Sequence, residues 1–128
     1  MNKQSIKTSM APAAIGPYSQ GVDAAGARTV YVSGQLPIDP GTGVMAEEGI
    51  ESQTLQSMKN VLAVVEAAGG TADNIVKCTL FITDMTAFAA INAQYEKFFG
   101  SVPPARAVVE VAALPKNAMI EIEAIAVL

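Results

Sequence analysis

Four charged residues sit inside runs that read as β-strand. Along residues 106–111, Arg106, Val108 and Glu110 alternate with Ala107, Val109 and Val111. Along residues 119–127, Glu121, Glu123, Ile125 and Val127 alternate with Ile120, Ile122, Ala124 and Ala126. Leu114-Pro115-Lys116-Asn117 parts the two runs, because proline has no N–H for a ladder and asparagine favours turns. This places an arginine and a glutamate on neighbouring strands. Arg106 is the best anion fork in the chain, since a planar guanidinium matches a carboxylate with two parallel hydrogen bonds. Glu121 and Glu123 are the candidate proton-transfer groups. On spacing alone the same residues also fit a solvated sheet face with an Arg–Glu cross-strand pair.

What the chain lacks narrows the chemistry. It has 128 residues, no histidine and one cysteine, Cys78. A Ser-His or Cys-His nucleophile system is excluded, as are imidazole metal ligands and any internal disulfide. No acidic cluster has the spacing for a hard cation, so no metal is expected. Asp39-Pro40-Gly41-Thr42-Gly43 is glycine-rich, but no Lys-Ser/Thr pair follows it, and a hairpin turn is the better reading than a phosphate cradle. No dinucleotide fingerprint is present, so no cofactor is expected. The net charge is −4 with no Lys/Arg run, which disfavours nucleic acid. No apolar run approaches the roughly 20 residues of a membrane span. Lys3 and Lys7 precede no apolar stretch of a secretory leader. A soluble, cytoplasmic protein is expected.

The elements that must position these groups read as follows. Residues 1–10 are polar and expected to be loose at their start. Residues 11–18, APAAIGPY, form an arm or ordered loop. Residues 19–22 suit a short strand and 24–28 a turn. Residues 29–35, TVYVSGQ, are a strand in which Gly34 marks either a bulge, a close backbone or ligand approach, or simply the strand end. Residues 50–68 are an amphipathic helix with Leu55, Met58, Val61, Leu62 and Val65 as its stripe, ended by Gly69. Residues 75–83 are a strand with Cys78 on its apolar face, read as a buried inert thiol. A second helix, capped by Asp84 or Thr86, runs to Phe99 with Phe88, Ile91, Tyr95 and Phe98 inward. Asn92 lies at the edge of that stripe, where its amide must bond a loop or face a ligand.

The whole chain, 1–128, is expected to be one domain of two layers, α+β or α/β, with a mixed sheet and both helices on one face. Only 16% of residues are charged and 51% are apolar, and the second sheet face still carries Val, Ile, Ala and Tyr. A single copy has nothing left to cover that face, so a homo-oligomer is expected.

The segments APAAIGPYSQG, YVSGQLPIDPGTG, INAQYEKFF, PPARAVVEVAALPK and IEIEAIAV together resemble the RidA (YjgF) family of enamine/imine deaminases, in order and over essentially the whole chain. The resemblance implies an α+β fold like chorismate mutase of the Bacillus type. It also implies a trimer with a central barrel and ligand clefts between subunits. It puts the carboxylate-binding arginine at Arg106 and the water-positioning glutamate at Glu121. Tyr18, Ser33, Gly34 and Asn92 become cleft residues that bind substrate. The implied substrates are 2-iminobutanoate and 2-iminopropanoate, released by pyridoxal-phosphate dehydratases and hydrolysed to 2-keto acids and ammonia. Many members carry a cysteine two residues after the arginine, where this chain has Val108, so thiol-dependent behaviour there is not expected. Two other functions remain open at this point: a non-catalytic 2-keto acid sensor and the ribonuclease activity ascribed to some relatives.

Overall fold

The structure, a computed structural model, describes residues 2–47 and 49–128. It contains β1 (Asn2–Ile6), β2 (Gly21–Ala25), β3 (Thr29–Gln35), α1 (Ile50–Ala67), β4 (Ile75–Ile82), α2 (Phe88–Tyr95), β5 (Ala105–Glu110) and β6 (Ile120–Val127). Both helices lie on one side of a four-stranded sheet ordered β3-β6-β4-β5, as the periodicity predicts. Strand β5 runs parallel to β4, and the other pairs are antiparallel. Among the described residues no helix is long and apolar enough to cross a membrane.

The core lies between the sheet and the helices. Cys78, Leu80, Ile82, Ile120, Ile122 and Ala126 from the sheet meet Met58, Val61, Val65, Ile91 and Tyr95 from the helices, and all are inaccessible to solvent. Burying each large aliphatic side chain of this kind contributes about 1.5–3 kcal/mol. The buried stripe of α1 differs from the expected one. Gln53, Thr54 and Ser57 are buried, while Leu55 and Leu62 stand at its flank. Gln53 explains part of this, because its Oε1 accepts the Met119 N–H at 2.8 Å and so ties α1 to the start of β6.

Three expectations are corrected. The N-terminus is not loose: β1 and β2 form an antiparallel hairpin, Asn2 opposite Ala25. This also moves the strand expected at 19–22 and the turn expected at 24–28, because β2 runs through Ala25. A ladder of backbone hydrogen bonds forms whatever the side-chain pattern, so a polar segment gives little sign of it. The third correction concerns Arg106 and Glu121. Their strands are not neighbours, because β4 stands between β5 and β6. A β4–α2–β5 crossover lays β5 parallel beside β4, and β6 takes the other edge. The connection between β5 and β6 passes over the end of β4, where the Val111 N–H donates to Ile82 O and the Thr83 N–H to Met119 O. Its turn uses left-handed backbone at Lys116 (φ 58°) and Asn117 (φ 57°).

The glycine-rich loop after β3 is a turn, as expected. Ile38 bridges Met45, and Asp39 closes the turn through Gly43 N–H and Val44 O. The side-chain amide of Asn60 on α1 holds this loop, donating to Leu36 O at 3.0 Å and Ile38 O at 2.8 Å.

The other face of the sheet is uncovered by any described element. Tyr31 is 76% exposed and Val109 43%. Lys77, Thr79, Phe81, Glu121, Glu123 and Ile125 share this face.

Candidate functional site

Arg106 lies on the helix side of the sheet. Its partner across the β4–β5 pair is Cys78, which is fully buried under the helices. Helix α2 presents Phe88, Asn92 and Tyr95 at i, i+4 and i+7, one face of a 3.6-residue period. All three meet the guanidinium. Asn92 Oδ1 accepts from Arg106 Nη1 at 2.7 Å. The Tyr95 ring centroid lies 4.9 Å from Arg106 Cζ, the Phe88 centroid 5.5 Å and the Tyr18 centroid 5.6 Å. Three ring faces and an amide oxygen therefore fix the plane of the fork, each ring contributing about 0.5–2 kcal/mol as a cation–π contact.

The arm after β1 brings Tyr18 to this place. Ser19 bridges Ala105, and its hydroxyl donates to Pro103 O while its N–H donates to Pro104 O. The Gln20 side chain accepts the Thr8 N–H and donates to Thr8 O, Ala11 O and Pro12 O. The arm is thus pinned to the chain just before Arg106. Gly16 passes so close that a Cβ there would stand 3.4 Å from Arg106 Nη2.

Arg106 is half-buried. Burial pulls its pKa down, opposed by Tyr95, Cys78 and Tyr18, and among the described residues no carboxylate acts on it. A guanidinium this dry without a counter-charge favours an anion, and its bidentate geometry favours a carboxylate. Beside it opens a cleft of about 280 Å³ lined by Tyr18, Met85, Phe88, Arg106 and Val108. Among the described residues, a larger depression of about 830 Å³ under the arm shares only Tyr18 with this cleft and has Lys7 as its sole charged wall.

Beneath the guanidinium the Cys78 thiol is enclosed. Burial pushes it up from 9.0 to about 11, so it stays protonated at neutral pH. The Tyr95 hydroxyl lies buried against this thiol without a hydrogen bond of good geometry, and burial raises its pKa as well. Cys78 is a packing residue, as its apolar strand face suggests.

Ser33, Gly34 and Glu121 form a second cluster elsewhere. The β3–β6 register shifts between Val32 and Gln35, so Ser33 and Gly34 form a bulge. A Cβ on Gly34 would stand 2.9 Å from Glu121 Cδ and 3.1 Å from its Oε2. The glycine is therefore a close approach of backbone to a carboxylate.

The two clusters do not meet within one chain. Arg106 pairs with Cys78 and Glu121 with Phe81, both on β4. Positions 78 and 81 are three apart, so their side chains leave opposite faces of the sheet. Of the six residues expected to form the site, Tyr18, Asn92 and Arg106 stand together. Ser33, Gly34 and Glu121 stand together on the other side. Sequence reasoning missed Phe88, Tyr95, Met85 and Val108 as cleft or support residues. Phe88 and Tyr95 were legible only as a helical apolar stripe, and no local signal separates a ring in the core from a ring under a cation.

The Endoribonuclease L-PSP family profile matches residues 8–128. The 2-iminobutanoate/2-iminopropanoate deaminase of Salmonella typhimurium is 54% identical over 127 residues, covering 97% of each chain. The crystal structure of the YjgF gene product from E. coli is 50% identical, with a TM-score of 0.75 over 97% of this chain and 98% of that one. The crystal structure of E. coli TdcF with bound serine is 46% identical, with a TM-score of 0.76 over 98% of both chains.

Proposed function

The chain belongs to the Endoribonuclease L-PSP family, that of the RidA and YjgF proteins, and from this we propose that it is a 2-iminobutanoate/2-iminopropanoate deaminase. It hydrolyses reactive 2-imino acids to 2-keto acids and ammonia. The observation that carries the reading is Arg106: a half-buried guanidinium with no carboxylate beside it, held by Asn92 and three rings at the edge of a small cleft. The relative with bound serine supports it, since serine carries the same 1-carboxylate next to a nitrogen-bearing carbon.

The substrate carboxylate pairs with Arg106. Water adds to the C=N carbon, its oxygen forming the new C–O bond while the nitrogen takes a proton. The resulting carbinolamine then collapses: the C–N bond breaks, ammonia leaves and the hydroxyl becomes the keto oxygen. Glu121, with Ser33 and Gly34 alongside, takes the proton from the attacking water and passes it to the nitrogen. The hydroxyl proton follows the same way as ammonia leaves, so the carboxylate is restored. Such acid/base help is worth about 10²–10⁴-fold. No covalent nucleophile is needed, which agrees with the inert Cys78 and with Val108 on β5. The opposite facing of Arg106 and Glu121 requires a second copy to complete the site: the uncovered sheet face of one subunit brings its Glu121 to the Arg106 of the next. The assembly is a homotrimer with a central barrel, working in the cytoplasm, where the dehydratases release these imines.

A second reading has one observation in its favour. Among the described residues no carboxylate acts on Arg106, so a lone subunit fits a keto acid sensor equally well. The family's ribonuclease name suits this chain less. Its charge is −4 and it has no histidine for general base or acid.

The test is a coupled reaction. Threonine dehydratase acts on threonine with semicarbazide as a trap for the imine, and this protein competes for it. The deaminase lowers semicarbazone yield and speeds 2-ketobutyrate release. A protein that binds 2-ketobutyrate yet leaves semicarbazone unchanged is the sensor.

A further inference from the structure

The short helical turn Met85–Ala87 comes before α2 and carries the outer wall of the Arg106 cleft. Its backbone is held twice. Asp84 Oδ1 accepts the Thr86 N–H at 2.9 Å and the Thr86 hydroxyl at 2.6 Å. Glu110 Oε1, on β5, accepts the Met85 N–H at 2.7 Å. Arg106, Val108 and Glu110 share one face of β5, so a single strand anchors the guanidinium, forms the floor of the cleft and fixes the turn that closes it. The Met85 side chain makes none of these bonds. It is 39% exposed and lines the cleft with Phe88 and Val108.

We infer that Met85, seated by Glu110 and Asp84, determines side-chain specificity by forming with Phe88 and Val108 a subsite for unbranched apolar side chains of 2-imino acids. This rests on the reading of Arg106 as the carboxylate anchor. With the carboxylate there, Arg106 is the only charged wall of the cleft among the described residues, and the remaining lining is Tyr18, Met85, Phe88 and Val108. A substrate side chain that leaves the guanidinium along β5 runs over Val108 to Met85. An anionic side chain meets no donor at that end. Behind that lining, the turn is held by the carboxylates of Asp84 and Glu110, which offer an anion no compensation. The thioether of methionine is unbranched and polarisable and adapts to chains of different length.

The experiment measures binding of three 2-keto acids to the intact protein by calorimetry. Pyruvate has only a methyl group, 2-ketohexanoate reaches Met85, and 2-ketoglutarate puts a charge there. The wild type should prefer 2-ketohexanoate to 2-ketoglutarate by at least about tenfold. Met85→Ala should weaken 2-ketohexanoate about 5–50-fold, the scale of a few lost methylene contacts, and leave pyruvate within twofold. Met85→Phe, which fills the subsite, should reject 2-ketohexanoate and spare pyruvate. A purely structural methionine would shift all three ligands together, and that result overturns the assignment. Equal binding of 2-ketoglutarate and 2-ketohexanoate by the wild type overturns it also. If the wild type binds none of the three, the carboxylate reading of Arg106 fails first and takes the subsite with it.

Discussion

Arg106 and Glu121 belong to strands two places apart in one sheet and project from its opposite faces. The Arg106 face is roofed by α2 and the arm, and the Glu121 face is open. A single subunit thus has a guanidinium without a carboxylate partner on one side and a carboxylate without a guanidinium on the other, which on the proposed reading are the anion anchor and the base. The proposed reaction uses both halves, so the arrangement makes the assembly testable through function.

Mixing two impaired variants should restore activity. Arg106→Ala and Glu121→Gln subunits, refolded together, should form trimers in which about one cleft in four carries both native groups. Each variant alone should turn over substrate far more slowly than the wild type, Glu121→Gln by about 10²-fold or more. Light scattering should give a trimer for both variants and for the mixture. Mixed trimers that stay inactive would mean that the two residues serve the same cleft from one chain or do not cooperate.

The two residues should also separate binding from turnover. Arg106→Ala should cost roughly 2–5 kcal/mol of 2-ketobutyrate binding, as expected when one partner of a desolvated charge pair is removed. Arg106→Lys should recover only part of it, because an ammonium lacks the planar fork that three rings and Asn92 hold. Glu121→Gln keeps the shape and should leave keto acid binding nearly intact while the trapping assay shows a fall of about 10²-fold or more. Full activity in Glu121→Gln would withdraw its role as base.

Gly34→Ala tests the close approach at the bulge. A methyl group there cannot coexist with the present Glu121 rotamer, since its Cβ would stand 2.9 Å from Cδ. The carboxylate is the end of a flexible side chain and will move aside, so the unfolding free energy should change little, by about 1 kcal/mol or less. Turnover should fall by about tenfold or more. A large loss of stability with normal turnover per folded molecule would show that Gly34 serves packing alone.

Cys78 gives a pH prediction. Its folded pKa, about 11, lies above its ordinary 9.0 because burial disfavours the thiolate. The folded state therefore holds the proton more tightly than the unfolded one. The associated stability is complete below pH 9 and is lost as pH rises through 11, amounting to on the order of 2–3 kcal/mol. Cys78→Ala should flatten this part of the stability curve, measured by denaturant midpoints at pH 8 to 11. At pH 7.5 the native thiol should resist iodoacetamide until the protein is unfolded, and ready alkylation of the folded protein would contradict the packing role.

The elements were largely legible in the sequence because each announces itself locally. Alternation from Ile120 to Val127, the three-four spacing from Met58 to Val65 and the left-handed Gly69 after α1 are properties of short windows. Arg106 was legible too, since a guanidinium in an apolar strand must find an anion or a rim. The β1 strand was not, because its partner is β2, some twenty residues on, and backbone pairing leaves no mark on polar side chains. Asn92 could be narrowed only to a loop or a ligand. Its Oδ1 in fact serves Arg106, fourteen residues away.

What the amino-acid sequence determined by itself was the kinds of groups present and the two sides of each strand: a fork without histidine or a reactive thiol, and glutamates set against isoleucines. What only the tertiary structure decided was how those sides combine. Alternation relates a residue to its own neighbours and says nothing of strand order or register. Placing β4 between β5 and β6, with Arg106 against Cys78 and Glu121 against Phe81, depends on hydrogen bonds between segments that local pattern does not connect. Three residues along β4 are an odd step, and an odd step on a pleated strand reverses the face.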